Sequence, residues 1–437
     1  MQTLTERRGG NMINNIISNI EKHIEKTIPE ITNYGEVFTK IETVNDMIDL
    51  LPDDFWKNPD LKILDPCNGV GNFPSVVIKK LMEGLIEFRK NEDDRYKHIV
   101  ENMIYVCEIQ PRNISHYLKL FNINNKYQLN YYEGSFLGGG FNNHMRNIWG
   151  INNFNLVLGN PPYQIGSDSR SAISIYHKFV EKSVSMSHFV LMITPSKWYS
   201  NPSMSNFREN MIKNYGLKIL KDVKEKIFSN VEIKGGVSYF LIEKGYKDKC
   251  LYNNLYRKFN YNIITNENVD TLLEKLKEYD TFSKYLNSDQ YFGIRNIDKN
   301  FLSERNTNCV KCFVSKKNGD IKYIEKSKLR IKPNYNKYKV FLPIASGSKN
   351  KIGTLGRIII GEPTDICSRT FVHFSFETLD ECKSFVSYLN TDIIKKLISL
   401  RKQTQLVKKD CFSFVPIVPL DKIWNNEDVL KYLNLNL

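Results

Sequence analysis

No apolar run in this chain approaches the roughly 18–20 residues that cross a bilayer as a helix. The opening MQTLTERRGG has no apolar core of a secretory signal. These two absences predict a protein of the cytoplasm, outside any membrane. Cysteine is sparse: eight residues in 437, irregularly spaced, read as reduced thiols rather than a disulfide framework. CVKC at Cys309–Cys312 is the single CxxC, and no second pair lies at the spacing a four-ligand structural zinc requires. No internal repeat is visible. Acidic residues are in deficit, with 48 Asp and Glu against 62 Lys and Arg, for a net charge of +14 and a pI near 9.1. The imbalance is concentrated: residues 311–360 hold thirteen Lys or Arg against Asp320 and Glu325 alone. Tyr323, Tyr335, Tyr338 and Phe341 interleave with those cations. A solvated basic face would give such a count, but cations among aromatics also mark surfaces that meet a polyanion.

What is present reads as a globular chain, 41% hydrophobic and 25% charged, long enough for two or three domains. Ile13, Ile16, Ile17, Ile20, Ile24 and Ile28 recur at helical spacing, so a helix over 1–30 ends at Pro29. VNDMIDLLP (44–52) predicts a short helix. KILDPCNGVGNF (62–73) passes from a strand into a glycine-bearing turn. A long helix follows, carrying Val76, Val77, Leu81, Leu85 and Phe88, and NEDDRY then reads as a charged loop. NMIYVCEI (102–109), FNLVLGN (154–160), HFVLMITPSKW (188–198) and KGGVSYFLIEK (234–244) supply four more strands. Strands alternating with helices predict βαβ units and a mainly parallel, doubly wound sheet. Beyond residue 245 the texture turns basic, Tyr-rich and broken, which places a domain boundary within 245–275.

Ligands of doubly wound sheets sit outside the carboxyl ends of the strands. Three strands end there on polar or glycine groups: Asp65 to Gly71, Glu108, and Asn160 to Tyr163. Gly69 and Gly71 allow backbone to approach a ligand closely, and Glu108 suits a pair of ribose hydroxyls. Glycine turns before helices are common, so the coincidence of three strand ends carries the reading. At NLVLGNPPYQ (155–164) an apolar run stops on two prolines, which cannot donate to a sheet ladder. As a bare turn, Asn-Pro is unremarkable. After a buried strand, and downstream of the glycine turn, it becomes a candidate reaction centre.

These segments resemble the DNA adenine-N6 methyltransferases of the S-adenosylmethionine-dependent gamma group, the restriction-modification methylases with an N-P-P-Y tetrapeptide. YGEVFTK (34–40) is similar to the opening cofactor segment, with Thr39 conforming and Lys40 where proline is usual. ILDPCNGVGNF matches the methionine-moiety motif through Asp65, Cys67, Gly69 and Gly71. YVCEI carries the ribose acid Glu108, followed by Ile109. EGSFL (133–137) resembles the adenine-moiety motif, through Ser135 in place of the usual acid and Phe136. GNPPY (159–163) holds the catalytic set Asn160, Pro161, Pro162 and Tyr163, with Asn160 and Pro162 also beside the cofactor. KIFSNVEIKGGVSYF (226–240) is similar to the segment whose aromatic, here Phe228, walls the target base. LRKQTQLVKKDCFSFVPIVPL (400–420) resembles the closing part of such methylases.

The resemblance implies a Rossmann-like α/β methyltransferase domain with a doubly wound mixed sheet over 31–250, preceded by the N-terminal helix. A smaller mixed α+β DNA-recognition domain over 251–437 follows. It implies S-adenosyl-L-methionine as cofactor, no metal, double-stranded DNA as substrate, and transfer of a methyl group to a flipped-out adenine in a bacterial or phage nucleoid setting. A cognate restriction endonuclease would be a separately encoded partner. N-P-P-Y also occurs in methyltransferases acting on RNA adenine or on a protein glutamine amide. A non-catalytic nucleic-acid-binding protein is a further alternative.

Overall fold

The computed structural model describes residues 16, 18, 39–165, 173–223, 236–259, 264, 269–295, 297, 299–302, 304–314, 320–346, 355–402 and 405–435. The expected N-terminal helix lies outside them except for Ile16 and Ser18, both helical, with Ile16 buried. Phe228 lies outside them as well. Backbone proximity divides the chain into two units, Met1–Lys258 and Phe259–Leu437.

In the first unit the strands among the described residues are β1 (Ile63–Asp65), β2 (Ile104–Glu108), β3 (Asn130–Glu133), β4 (Phe154–Gly159), β5 (Gln164–Ile165), β6 (Ile173–Ser174), β7 (Ser187–Pro195), β8 (Leu217–Val223), β9 (Val237–Glu243), β10 (Cys250–Tyr252) and β11 (Leu255–Arg257). All but β5 and β6 form one nine-stranded sheet in the order β11-β10-β8-β9-β7-β4-β1-β2-β3. The ladder from β7 through β4, β1 and β2 to β3 is parallel. β9 is inserted antiparallel between β7 and β8. The expected doubly wound mixed α/β sheet is therefore present. Its central strands are covered on both faces, and β1 and β2 are buried at every residue. That is why ILD and IYVCE read as unbroken apolar runs rather than alternating ones.

Helices α1 (Ile41–Ile48), α2 (Asn72–Gly84), α3 (Glu92–Asn102), α4 (Pro111–Phe121), α5 (Gly139–Asn147), α6 (Tyr176–Met186) and α7 (Ser205–Lys213) accompany the sheet. Two sequence expectations are corrected here. NEDDRY is not a loop but the start of α3: the Asn91 side chain accepts the Asp94 N–H at 3.0 Å, and Glu92, Asp93 and Asp94 fill the first turn. A capping Asn followed by acids that complement the helix dipole was the overlooked signal. The long helix also stops at Gly84, with Leu85 as its C-cap, so Phe88 lies beyond it.

Among its described residues the second unit holds two antiparallel-rich sheets, with β12 (Phe301–Leu302), β13 (Cys309–Phe313), β14 (Ile321–Glu325) and β17 (Ile366–Cys367) in one, and β15 (Tyr338–Pro343), β16 (Ile359–Gly361) and β18 (Phe371–Phe376) in the other. Helices α8 (Asp270–Leu276), α9 (Leu379–Leu389), α10 (Asp392–Arg401) and α11 (Asn426–Tyr432) complete it. The broken texture beyond residue 245 had concealed α9, whose start is a capping box between Thr378 and Glu381. Cys309 and Cys312 stand three apart on β13, so their side chains leave opposite faces of the strand rather than converging.

The basic window is less uniform than its count. Lys311 pairs with Asp365 at 3.3 Å and Lys337 with Glu377 at 2.6 Å. Lys339 is fully buried, donating to the carbonyls of Tyr335 and Lys337. Tyr335 and Phe341 are core residues, so half of the interleaved aromatics serve packing. Lys322, Lys326, Lys328 and Arg330 remain exposed.

The same core holds a fully buried imidazole. His373 stacks on Phe292 (centroids 5.2 Å apart, planes at 19°), and neither ring nitrogen has a partner among the described residues. Burial, with Lys339 adding repulsion, depresses its pKa to about 3. The folded state therefore resists a proton that the unfolded chain accepts. The stability this neutral ring contributes is complete above pH ~6.5 and is lost as pH falls toward 3. Measured by denaturant unfolding, the stability of wild type relative to His373→Leu should fall by about 3 kcal/mol between pH 7 and pH 4. A difference that stays constant with pH would contradict this.

Candidate functional site

β1, β2, β3 and β4 are adjacent and parallel, and their carboxyl ends open onto one cavity of about 340 Å³. The order 4-1-2-3 means that the chain winds one way from β1 to β3 and then returns to the other side of β1 for β4. That reversal leaves a crevice above the sheet, because the connections on its two sides diverge.

At the end of β1, Asp65 is only 2% exposed. Its Oδ1 accepts the Cys67 N–H at 3.0 Å, while Oδ2 has no hydrogen-bond partner among the described residues. Burial first, and then the neighbouring Glu108, raise its pKa to about 8. Its charged form is therefore disfavoured relative to an exposed carboxylate. Gly159, the last residue of β4, comes so close that a Cβ there would lie 2.8 Å from Asp65 Oδ1. This close approach explains why glycine precedes Asn160.

Glu108 ends β2. Its Oε2 accepts the Gly69 N–H and its Oε1 the Gln110 N–H, both at 2.8 Å. The turn between β1 and α2 thus hangs from two carboxyl groups, Cys67 from Asp65 and Gly69 from Glu108. Gly69 has φ of +56° and open space where a Cβ would stand, so backbone conformation selects glycine there. Gly71 differs from its expected role. It lies outside the cavity lining, and a Cβ on it would meet the Phe121 ring at 2.6 Å. Packing of α4 against the turn and a φ of +104° both select that glycine.

Thr39, Cys67, Gly69, Glu108, Ile109, Ser135, Phe136 and the Asn160–Tyr163 corner all line the cavity. Asp65 lies just beneath it, in contact with the turn. Burial and the Asp65 carboxyl push the Cys67 thiol well up, leaving it protonated and inert. Ile109 is 66% exposed, an apolar face bordering the cavity beside the acid. The Phe136 ring meets Phe179 at 5.5 Å, and its carbonyl accepts a hydrogen bond from Lys182. Pro161 is buried and Pro162 exposed. The Tyr163 ring is set edge-on to Tyr176, with centroids 6.4 Å apart, and burial raises its phenol.

The sequence reading missed Asn68 and Asn72 in the turn, and Ile165, Ile175 and Phe179 beyond the corner, all of which line the cavity. Asn72 Nδ2 donates to the Thr39 carbonyl at 2.9 Å, fixing the end of the 34–40 segment against the turn. Paired asparagines around the glycines were a legible signal. The residues after the corner gave none. Thr39 Oγ1, Asn68 Oδ1 and Asp65 Oδ2 are buried acceptors without hydrogen-bond partners among the described residues. Unsatisfied polar atoms at Thr39 and Asn68 and the apolar side chains of Ile109 and Phe136 together line a cavity that fits a ligand with both a polar and an apolar part.

The sequence profile of the Eco57I restriction-modification methylase family matches residues 75–228. That span runs from α2 through Glu108 and the Asn160–Tyr163 corner to Phe228, and it bears out the resemblance to restriction-modification adenine methylases. An uncharacterized adenine-specific methylase of Mycoplasma pneumoniae is 28% identical, matching 52% of this chain and 72% of that protein. Among solved structures, the DrdV–DNA complex gives a TM-score of 0.52 at 12% identity, covering 93% of this chain and 58% of that one. A nuclease-deletion mutant of the Type ISP restriction-modification enzyme LlaGI, bound to a DNA substrate mimic, also gives 0.52, at 13% identity over 86% of this chain and 46% of that one. This chain spans about half the length of such solved structures. At these identities the likeness is one of fold.

The contact between β1 and β4 is open to test. Gly159→Ala forces a methyl group against Asp65 Oδ1 and should cost about 1–3 kcal/mol of stability, as overpacking does. In an Asp65→Ser background the same change should cost at least about 0.5 kcal/mol less. Equal costs in both backgrounds, read by thermal or denaturant unfolding, would show that the two residues do not press on one another.

Proposed function

We propose that this chain is a DNA adenine-N6 methyltransferase that uses S-adenosylmethionine. The observation that carries the reading is the convergence on one strand-end cavity of the turn held by Asp65, of Glu108 and of the Asn160–Tyr163 corner. The family match over the segment containing the last two supports it. S-adenosylmethionine, when bound, supplies an electrophilic methyl group on a sulfonium centre. Asp65, Thr39 and the turn from Cys67 to Gly69 would hold its cationic amino-acid end. Glu108 would take the ribose hydroxyls, and Ile109, Ser135 and Phe136 the heterocycle.

The remaining chemistry belongs to the corner. The exocyclic amine of adenine is a poor nucleophile because its lone pair is delocalised into the ring. The Asn160 side-chain oxygen and the Pro161 carbonyl are two acceptors for its two N–H groups. Accepting both draws the nitrogen toward tetrahedral geometry and frees its lone pair in one direction. Two prolines fix φ near −65° and carry no N–H, so the corner presents their carbonyls in a defined direction. Catalysis then rests on positioning and oriented dipoles, with no covalent protein intermediate. Tyr163 and Phe228 would supply aromatic surface for the base, which must leave its duplex to reach a cavity at the strand ends. The exposed cations Lys322, Lys326, Lys328 and Arg330 in the second unit are candidates for phosphate contacts. A separately encoded restriction endonuclease is the proposed partner.

Asn160→Ala should lower methyl transfer about 10²–10³-fold, while cofactor affinity changes far less. The assay offers S-adenosylmethionine with a labelled methyl group, in parallel, to DNA, RNA and a release-factor protein, and identifies the labelled product. N6-methyladenine in DNA is the expected product. Label only in RNA or in a glutamine side chain would move the assignment to those substrates. DNA binding with no transfer to any of them would indicate a non-catalytic binding protein. Near-normal turnover by Asn160→Ala would overturn the mechanism.

A further inference from the structure

The target corner runs directly into a small hairpin. β5 and β6 pair antiparallel, and Ile165 lies directly opposite Ile173. Cross-strand partners project from the same face, so the two isoleucines form one apolar pair. They are 60% and 67% exposed. A lone exposed isoleucine needs no explanation. Two opposed β-branched side chains on a two-residue ladder, with so much of both left in water, call for one.

The hairpin is tied to the corner. The Tyr163 carbonyl accepts the Ile175 N–H at 3.3 Å and the Ser174 hydroxyl at 3.4 Å. Ile165 also lines the cavity, whereas Ile173 does not. The pair therefore stands at the cavity rim, on the hairpin that directly follows Asn160 to Tyr163, with one member in the lining and the other outside it.

We propose that Ile165 and Ile173 form an apolar wedge that enters the base stack of the duplex beside the target adenine. This rests on the reading that the cavity receives an adenine turned out of DNA. A base that leaves the stack uncovers the apolar faces of its neighbours, and the side chains nearest the point of departure meet those faces. Inserted apolar groups of this kind offset unstacking. Isoleucine suits the task because its restricted χ1 leaves little rotamer freedom to lose. Packing against the cofactor would account for Ile165 alone, since Ile173 lies outside the lining.

The test uses the full chain and a duplex whose adenine context has been read from methylated DNA of expressing cells. One duplex keeps the target paired; a second carries an abasic position opposite it, so that no pair has to be broken. Ile173→Ser should lower transfer to the paired duplex about tenfold, but to the abasic duplex by less than about threefold. Ile173→Leu, which keeps the apolar bulk, should restore transfer to the paired target. Equal losses on both duplexes, or none on either, would overturn the wedge. A wild-type chain that methylates adenine in neither duplex would instead overturn the functional reading, and the wedge with it.

Discussion

The buried carboxyl of Asp65 is the contact on which the backbone of the candidate site depends. Oδ1 receives the Cys67 N–H, which starts the turn into α2. Gly159 packs so close to the same oxygen that any side chain there would collide with it. The carboxyl ends of two side-by-side parallel strands thereby meet, one delivering the glycine turn and the other the Asn160–Tyr163 corner. Glu108, from the third strand, completes the clamp by taking the Gly69 N–H. Two acidic side chains on adjacent strands repel each other, and burial makes Asp65 costlier still to charge.

Much of this arrangement was legible in the sequence. Strands buried on both faces are continuously apolar whatever their direction, so β1, β2, β4, β7 and β9 stood out as runs. Asp65, Glu108 and Asn160 are conspicuous because each ends such a run on a polar group. What was hidden had physical causes. β3 (NYYE) and β8 (LKILKDV) are partly exposed and mix polar with apolar residues, so no run marks them. Gly71 looked like part of a ligand turn although it answers to the Phe121 ring, a partner 50 positions away in the chain that no local pattern reveals. Ile165 and Ile173 became a pair only once the hairpin register was known.

Charge shows the same division between pattern and environment. The count over 311–360 gave the sign of the window correctly. It could not separate Lys311 and Lys337, which are paired, and Lys339, which is buried against carbonyls, from the cations that face water. Composition reports how many charges a segment holds; only the fold decides which of them are available to a partner.

The proposed function requires that the Asp65 carboxyl, whose pKa burial raises to about 8 in the free protein, meets the cationic end of S-adenosylmethionine. Calorimetric titration of the cofactor at pH 7 in buffers of differing ionisation enthalpy measures this directly. Because a nearby positive charge lowers a carboxyl pKa, binding should expel up to about one proton per site, and Asp65→Asn should abolish that release. Cofactor binding with no proton release by the wild-type chain would contradict the account.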